Sequence, residues 1–487
     1  MFNYKIISKT LGILLLTITV FLAIPLVWAI AGGEGNTTKY LYSMLICLIV
    51  GVPLLALGQG NNNISKRDGY LIVTLGWLAL CLAAALPYIF YEGIHKFSYA
   101  FFESTSGLTT TGATILADIE ALPNSLLIWR SLTQWIGGLG IIVLTVAIFP
   151  LLGVSGVELF VAESPGPTSQ KIHPRIKDTA KRLWLIYLSL TILLILILKF
   201  VSGLNLFDAI NHGLTTMATG GFSTKNASIG HFDSAIVQYP ILIFMFLAGM
   251  NYTIIYFSLK RNFKRVWASE EFKAYIFGVA AIVLLATIYL TSTSNYGIEK
   301  SFRYAAFQIV SLITTTGYVV TDYTLWNKGL MAIFFFTMFA GACAGSTSGG
   351  IKVIRHLVYL KNAIHEFKRL LHPRALMQTK IDKSTISGKI LSHILVFLLV
   401  YILIFMIGTF LMCIILSGQE QTLLTAISAT ATCLGNVGPG LGTVGPVDNF
   451  QHIPAAGKYL LSFIMIVGRL ELFTVLILLT PFFWKAN

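Results

Sequence analysis

The sequence predicts an all-α integral membrane protein: four pseudo-symmetric helix–pore loop–helix repeats around a central pore, preceded by two N-terminal transmembrane helices. Three observations lead there. First, 56% of the 487 residues are hydrophobic and only 11% are charged, where a soluble domain carries about 25% charged residues. Second, apolar runs long enough to cross a bilayer, about 20 residues each, recur from end to end, more than a soluble core can hide. Third, four short apolar stretches run into Thr- and Gly-rich turns: Thr109-Thr110-Thr111-Gly112-Ala113, Ala218-Thr219-Gly220-Gly221-Phe222, Thr314-Thr315-Thr316-Gly317-Tyr318 and Thr432-Cys433-Leu434-Gly435-Asn436. Their glycines Gly112, Gly220, Gly317 and Gly435 lie 108, 97 and 118 residues apart. A supersecondary unit of about 100 residues, used four times, builds a fourfold pore from one chain.

The first 60 residues hold two spans, over 10–30 and 40–57. Lys5 and Lys9 before the first resemble the charged start of a signal peptide. The apolar run through Ile30 is long enough to span and carries no small-residue cleavage pattern, so it reads as retained. The repeats follow over 69–154, 183–260, 274–370 and 388–487. Each opens on a long helix, over 70–90, 183–201, 274–290 and 390–415. A short segment comes next, over 99–108, 206–217, 302–313 and 422–431. A second long helix closes each unit, over 129–152, 239–259, 330–340 with its continuation, and 459–484. The short segments have about 10–12 residues, or roughly 15–18 Å of helix, against a hydrocarbon core of about 30 Å. They must dip in and return, which is tolerated only where protein or a water-filled cavity satisfies the irregular backbone.

The net charge of +14 is distributed as a membrane protein distributes it. Lys171, Arg175, Lys177, Lys181 and Arg182 share one loop, and Lys260, Arg261, Lys264 and Arg265 another. A third loop carries Lys352, Arg355, Lys361, Lys368, Arg369, Arg374, Lys380 and Lys383. The alternate loops mix Lys96, Lys225 and Lys328 with Asp118, Glu120, Asp233 and Asp322. This positive-inside bias predicts that the three basic loops are cytoplasmic, and ten spans then put both termini there. No basic patch lies on a foldable soluble domain, which excludes nucleic acid as the partner; anionic membrane lipid fits the loop charge. The five cysteines lie in apolar or pore-like sequence without CxxC spacing, against a metal site or a disulfide framework. Gly345–Ser348 could be imagined as a nucleophile turn, but no GxSxG or HExxH signature accompanies it. The expectation is a non-enzyme with no organic cofactor.

The turns have the chemistry of a cation filter. Pointing consecutive carbonyls inward needs alternating backbone hands, and glycine takes φ > 0 freely. Carbonyls from four turns on one axis can replace the water shell of a potassium ion, and several weak sites let it leave again. Each short helix would direct its negative C-terminal end toward the centre. None of the turns contains Asp or Glu. Glu103 and His212, in the short helices, read as hydrogen-bonding groups of those helices, and Asp208 fits a helix N-terminus. Asn251 faces a cavity or bonds a neighbouring helix; the sequence does not choose. In unit three, Gly341-Ala342-Cys343-Ala344-Gly345-Ser346-Thr347-Ser348-Gly349-Gly350 interrupts the second long helix, and ten residues this small make a poor helix interior. Such a stretch is either an irregular segment lining a cavity or a close-packed helix interface. Arg469 in the last long helix would be costly unpaired. Glu471, two residues away, does not share its helix face, so Arg469 is expected to bond carbonyls of the glycine segment or face the cavity.

Beyond the turns, several motifs carry a family resemblance: Trp129-Arg130-Ser131-Leu132-Thr133-Gln134-Trp135-Ile136-Gly137-Gly138, Pro165-Gly166-Pro167, His173-Pro174-Arg175-Ile176-Lys177-Asp178-Thr179-Ala180 and Gly468-Arg469-Leu470-Glu471-Leu472-Phe473-Thr474. Over nearly its whole length the chain resembles the potassium-translocating membrane subunits of bacterial Trk systems, within the Trk/Ktr/HKT superfamily. Its two leading helices are similar to the Trk branch. The resemblance implies filter roles for Thr110, Thr111 and Gly112; Ala218, Thr219 and Gly220; Thr315, Thr316 and Gly317; and Cys433, Leu434 and Gly435. The transported ligand would be a potassium ion at the filter carbonyls. Serine at the first filter glycine goes with sodium transport in the superfamily, so Gly112 points to potassium. The resemblance also implies an intramembrane gate at 341–350, with Gly341, Gly345, Gly349, Gly350 and Arg469 as its residues; Lys352, which follows the segment, is a further candidate for holding it shut. It implies a homodimer in the bacterial cytoplasmic (inner) membrane, and a cytosolic nucleotide-binding regulatory subunit that controls the gate. Gated potassium uptake is the expected function; a potassium–proton or potassium–sodium symporter of the same fold is the alternative.

Overall fold

The computed structural model describes residues 2–58, 65–94, 96–143, 172–374 and 377–485. Pro165-Gly166-Pro167, Lys171, residues 59–64 ahead of the first repeat and the end of the span expected over 129–152 lie outside the described residues. The regular structure among the described residues is helical, apart from a two-residue antiparallel hairpin, Lys380–Ile381 with Ser384–Thr385, and one isolated bridge between Ala340 and Ile351.

Among the described residues, six helices are long and apolar enough to cross a bilayer: Tyr4–Gly32, Thr37–Leu57, Lys66–Ile89, Thr179–Val201, Glu270–Thr293 and Gly388–Ile415. Local chemistry sets where they begin. Ser65 and Asp68 form a capping box at the head of Lys66–Ile89, satisfying two of the backbone donors that a helix start leaves free. Ser387 accepts from the Ile390 amide at the head of Gly388–Ile415. The latter helix leaves Leu399, Leu403, Met406, Ile407 and Phe410 more than half exposed, a continuous apolar face of the kind that lipid covers.

The helices that close units two and four are not the unbroken spans the hydropathy predicts. Ala235–Ala248 turns through 107° into Tyr252–Leu259, and Ala455–Arg469 through 112° into Phe473–Leu479. At the first break Gly249 packs so closely that an added Cβ would lie 2.6 Å from the Tyr275 hydroxyl. Asn251 then caps the new helix by accepting from the Thr253 amide at 2.8 Å, a role that is neither of the two expected for it. At the second break Glu471 and Leu472 both adopt positive φ, 61° and 52°. In unit three, Lys328–Thr337 stops ahead of the glycine segment, and the chain resumes as Val353–Leu371. Asn124–Val143 closes unit one as far as it is described.

The four short helices are Phe97–Leu108, Leu206–Met217, Ile298–Ile313 and Thr422–Gly435. The longest has 16 residues, about 24 Å at 1.5 Å per residue, still less than a bilayer core. Buried side chains form two main cores. The leading helices with units one and four build one, and units two and three build the other, so the axis runs between two halves.

The leading helices form an antiparallel pair held close by small residues. An added Cβ on Gly12 would lie 2.7 Å from the Leu55 nitrogen and 2.8 Å from the Gly51 oxygen. In lipid such close approach is what associates helices. Gly12→Leu is expected to cost about 1–3 kcal/mol through overpacking, read as a lower melting temperature of the detergent-solubilised protein; an unchanged melting temperature would contradict this packing.

Candidate functional site

Each short helix ends in the same turn. The residue just past it takes the left-handed conformation: Thr110 (φ 52°), Thr219 (52°), Thr315 (54°) and Asn436 (53°). The next amide reaches back five residues: Thr111 to Ser106 O, Gly220 to Thr215 O, Thr316 to Ser311 O and Val437 to Thr432 O, at 2.8–2.9 Å. This is a Schellman-type stop, but the position that usually takes glycine holds a β-branched threonine in three of the four cases. Left-handed backbone at such a residue costs of order 1–3 kcal/mol and persists only when its surroundings hold it. A glycine follows two residues later, again at positive φ: Gly112 (83°), Gly221 (76°), Gly317 (77°) and Gly438 (105°).

These glycines close a ring. An added Cβ on Gly112 would strike the Gly220 carbonyl oxygen, one on Gly221 the Thr316 oxygen, and one on Gly317 the Val437 oxygen; on Gly438 it would lie 2.6 Å from the Thr111 oxygen. Each turn's glycine thus abuts the preceding-position carbonyl of the next turn, and the fourth abuts the first. A side chain at any of the four contacts would have to push the neighbouring turn aside. A cavity of about 110 Å³ opens onto the ring, lined by all four glycines together with Phe222, Pro439 and Asp448.

The register differs from the sequence reading in two units. In unit two the matching triplet is Thr219-Gly220-Gly221, one residue on, and Ala218 is the right-handed cap of its helix. In unit four it is Asn436-Val437-Gly438, three residues on. Cys433, Leu434 and Gly435 are the last residues of Thr422–Gly435 and not part of the turn. Gly435 is glycine because an added Cβ would lie 2.6 Å from the Met338 oxygen. The missed signal is a repeated spacing: Ser or Thr at 106, 215, 311 and 432, the left-handed residue four later, and glycine two beyond that.

Side chains behind the ring hold it. Arg130, fully buried, donates from Nε to Glu103 Oε1 at 2.9 Å, from Nη1 to the Ser223 carbonyl at 3.2 Å and from Nη2 to Thr114 Oγ1 at 3.3 Å. Its guanidinium also lies 4.1 Å from the centre of the Phe222 ring, a cation–π contact. Glu103 accepts in addition from the Thr114 hydroxyl and the Ile115 amide, each at 3.0 Å. One buried pair therefore binds the chain after turn one to the chain after turn two. Gln134 clasps turn two, donating to the Gly220 carbonyl at 2.6 Å and accepting from the Phe222 amide at 3.0 Å. His212 bridges the Asp208 carbonyl and the Ser223 hydroxyl. Glu103 and His212 are thus hydrogen-bonding groups of the short helices, as the sequence predicted. Ser311 donates to the Tyr318 carbonyl and Thr432 to the equivalent Pro439 carbonyl. Toward the cavity mouth, the Asn226 amide beside Asp118 holds that carboxyl below the usual carboxylate range.

The glycine segment lies against the helix side of the ring. Its neck is closed by Gly341 N to Ile351 O (2.8 Å), Ile351 N to Phe339 O (3.1 Å) and Val353 N to Ala342 O (3.1 Å). Its tip touches three units. Thr347 donates to the Met217 and Ala248 carbonyls at 3.1 and 3.3 Å, and Gly349 donates to the Thr315 hydroxyl at 2.7 Å. An added Cβ on Gly349 would also strike the Gly435 carbonyl. Arg469, at the break of the last helix, donates to the Thr347 carbonyl at 2.8 Å and to Gly137 O at 3.3 Å. Lys352 donates back to Ser348 and Gly349. Gly345 takes φ 69° beside Asn251, and Gly350 φ 65° at the neck. The six residues singled out around this segment are brought together. Glu471, set aside in the sequence reading, ion-pairs with Arg355 just past the loop, and Arg355 stacks 3.9 Å from the Phe397 ring centre.

The helices and this ring define a multi-pass membrane protein whose four half-membrane hairpins meet on one axis. A sequence profile described as "TrkH: Cation transport protein" matches residues 37–485. The Trk system potassium uptake protein TrkH of Escherichia coli K12 is 39% identical over 489 residues, spanning 99% of this chain and all of that protein. TrkG of the same organism is 32% identical, over 98% of this chain and 93% of its own. The crystal structure of the potassium transporter TrkH from Vibrio parahaemolyticus superimposes with a TM-score of 0.89 at 36% identity, over 99% of this chain and 100% of that one. The chain belongs to the TrkH family of cation transport proteins.

Breaking a buried ion pair on one side leaves an uncompensated charge, about 3–5 kcal/mol. Arg130→Met and Glu103→Gln are each expected to lower the melting temperature and the monodisperse yield in detergent, and the double variant to recover part of the loss. Equal loss in single and double variants would show that the pair does not act as a unit.

Proposed function

We propose that the chain is the potassium-conducting membrane subunit of a Trk-type uptake system. Potassium passes along the axis of the ring and exchanges its water for oxygens of the four turns. One observation carries this reading: each turn's glycine seats against the next turn's carbonyl, so that four units of one chain enclose a single axis. The converging helix C-termini add a negative potential that favours a cation. The relatives are named as potassium uptake proteins and a potassium transporter, which fits the same ion.

The loop from Gly341 to Gly350 is the gate in this reading. It lies across the helix side of the ring, pinned by Arg469 from unit four and touching Thr315 of unit three and Met217 of unit two. The basic loops face the cytoplasm, where a nucleotide-binding regulatory subunit acts on the gate. Shared sidedness of the termini is supported by a contact between them, Phe2 packing on Phe483 and Trp484 at 5.6 Å between ring centres; Arg67, at the head of Lys66–Ile89, donates to the Lys485 carbonyl at 2.9 Å and puts that helix start on the same side.

Flux of purified protein in vesicles tests both parts. Gly112→Ser is expected to shift the potassium-to-sodium flux ratio toward sodium by about tenfold, equivalent to about 1.4 kcal/mol; an unchanged ratio at normal expression would remove the ring as the selective element. Deleting part of 341–350 is expected to raise potassium flux. Unchanged or lower flux from a well-folded deletion would remove the loop as the gate.

A further inference from the structure

We propose that Arg182, Lys260 and Arg265 form a binding site for the head group of an anionic phospholipid. The site does not depend on which ion the chain carries. Arg182 lies near the head of the span Thr179–Val201. Lys260 follows the end of Tyr252–Leu259, and Arg265 lies on Phe263–Ala268, the short helix that leads into Glu270–Thr293. The fold gathers the three on two neighbouring rings. Arg182 donates from Nη1 to the Tyr256 hydroxyl at 3.3 Å, and its guanidinium lies 5.8 Å from the centre of that ring. Lys260 Nζ lies 5.0 Å from the same centre, and the Arg265 guanidinium 5.0 Å from that of Phe257. The Tyr256 and Phe257 rings are 5.7 Å apart.

All three cations are exposed, and none of them forms an ion pair among the described residues. Arg355, Lys361 and Arg369 differ in this, being paired with Glu471, Glu270 and Glu366. Like charges gathered on adjoining rings repel, so the cluster favours a counter-anion, and phosphate oxygens accept strong charge-assisted bonds from such donors. The surroundings say what the anion is attached to. Leu259, Phe263 and Trp267 are 68, 56 and 50% exposed, and Phe263 and Trp267 stand one turn apart on one face of their helix. Trp267 comes three residues ahead of the spanning helix Glu270–Thr293, at the interfacial depth that tryptophan favours. Leu185, Ile192 and Leu196 continue the face of Arg182 down its span and are 45, 48 and 47% exposed, a track for acyl chains. A soluble phosphate compound would use the cations alone; a phospholipid uses the apolar surface as well. A zwitterionic lipid sets its own ammonium against the same three charges, so the cluster selects an anionic head group.

The purified full chain in detergent is titrated with phosphatidylglycerol and, separately, with phosphatidylcholine, and the first lipid adduct is read by native mass spectrometry. Phosphatidylglycerol is expected to bind at least about fivefold more tightly, the factor that one basic residue contributes at a charged membrane surface; equal affinities overturn the site. Arg182→Gln, Lys260→Gln and Arg265→Gln are each expected to weaken phosphatidylglycerol by about the same factor and to leave phosphatidylcholine unchanged, while Lys260→Arg keeps wild-type affinity. Lys368→Gln removes an equal charge from Val353–Leu371 and is expected to be silent. An equal loss there means diffuse charge attraction and overturns the site. Phosphatidylglycerol is also expected to raise the melting temperature of the wild type, and inorganic phosphate at constant ionic strength to leave it unchanged. Equal protection by both assigns the cluster to a soluble anion and overturns the lipid. Phosphatidylglycerol affinity untouched by all three Gln variants overturns it too, and leaves the cluster to a protein partner.

Discussion

Non-helical backbone at membrane depth has to find its hydrogen-bond partners within the protein, because lipid supplies none. This one constraint organises the molecule. Four helices too short to span must stop half-way, and every stop leaves carbonyls and amides to be satisfied. The back-reaching amide bonds satisfy part of each turn, and Arg130, Gln134, His212 and their partners hold the chain that follows. The broken outer helices repeat the problem one layer out. There Asn251, Glu271 and Arg469 serve backbone groups that the bends expose: the Thr253 amide, the Ala344 amide and the Thr347 carbonyl.

The ring is strained by design of its sequence. Glycine would adopt the left-handed step at less cost than threonine, yet three units keep the hydroxyl. Those hydroxyl-bearing steps persist because each is clamped from both sides, by the helix end behind and the neighbouring turn ahead. Pairs such as Thr109 with Thr111 and Thr314 with Thr316, at 2.7 and 2.8 Å, stiffen units one and three alike. Units two and four lack that pair and use Gln134 and the Asn436 side chain instead. The fourfold pattern is kept in the backbone while its supports differ from quarter to quarter.

Much of this was legible in the sequence, for identifiable reasons. Composition and the lengths of apolar runs gave the membrane fold, the leading pair and the short helices. Thr-Thr-Gly located turns one and three to the residue. Unit four misled because Gly435 looks like the key glycine, while its role is close packing inside a helix; Asn436, a residue that tolerates left-handed backbone, carries the turn. The bends at 249–251 and near 470 were invisible, since hydropathy measures apolarity and not direction. Arg130 with Glu103 and Arg355 with Glu471 stand 27 and 116 residues apart, and no local pattern announces such pairs.

Building the ring from one polypeptide has a consequence that four identical subunits would not share. In a homotetramer any coding change appears in every quadrant, so intermediate states are inaccessible. Here a mutation edits a single quarter, and the remaining three preserve the enclosure while the altered one explores. Asn436, standing where its three counterparts are threonine, is a difference of this kind: one corner departs while the backbone step stays the same.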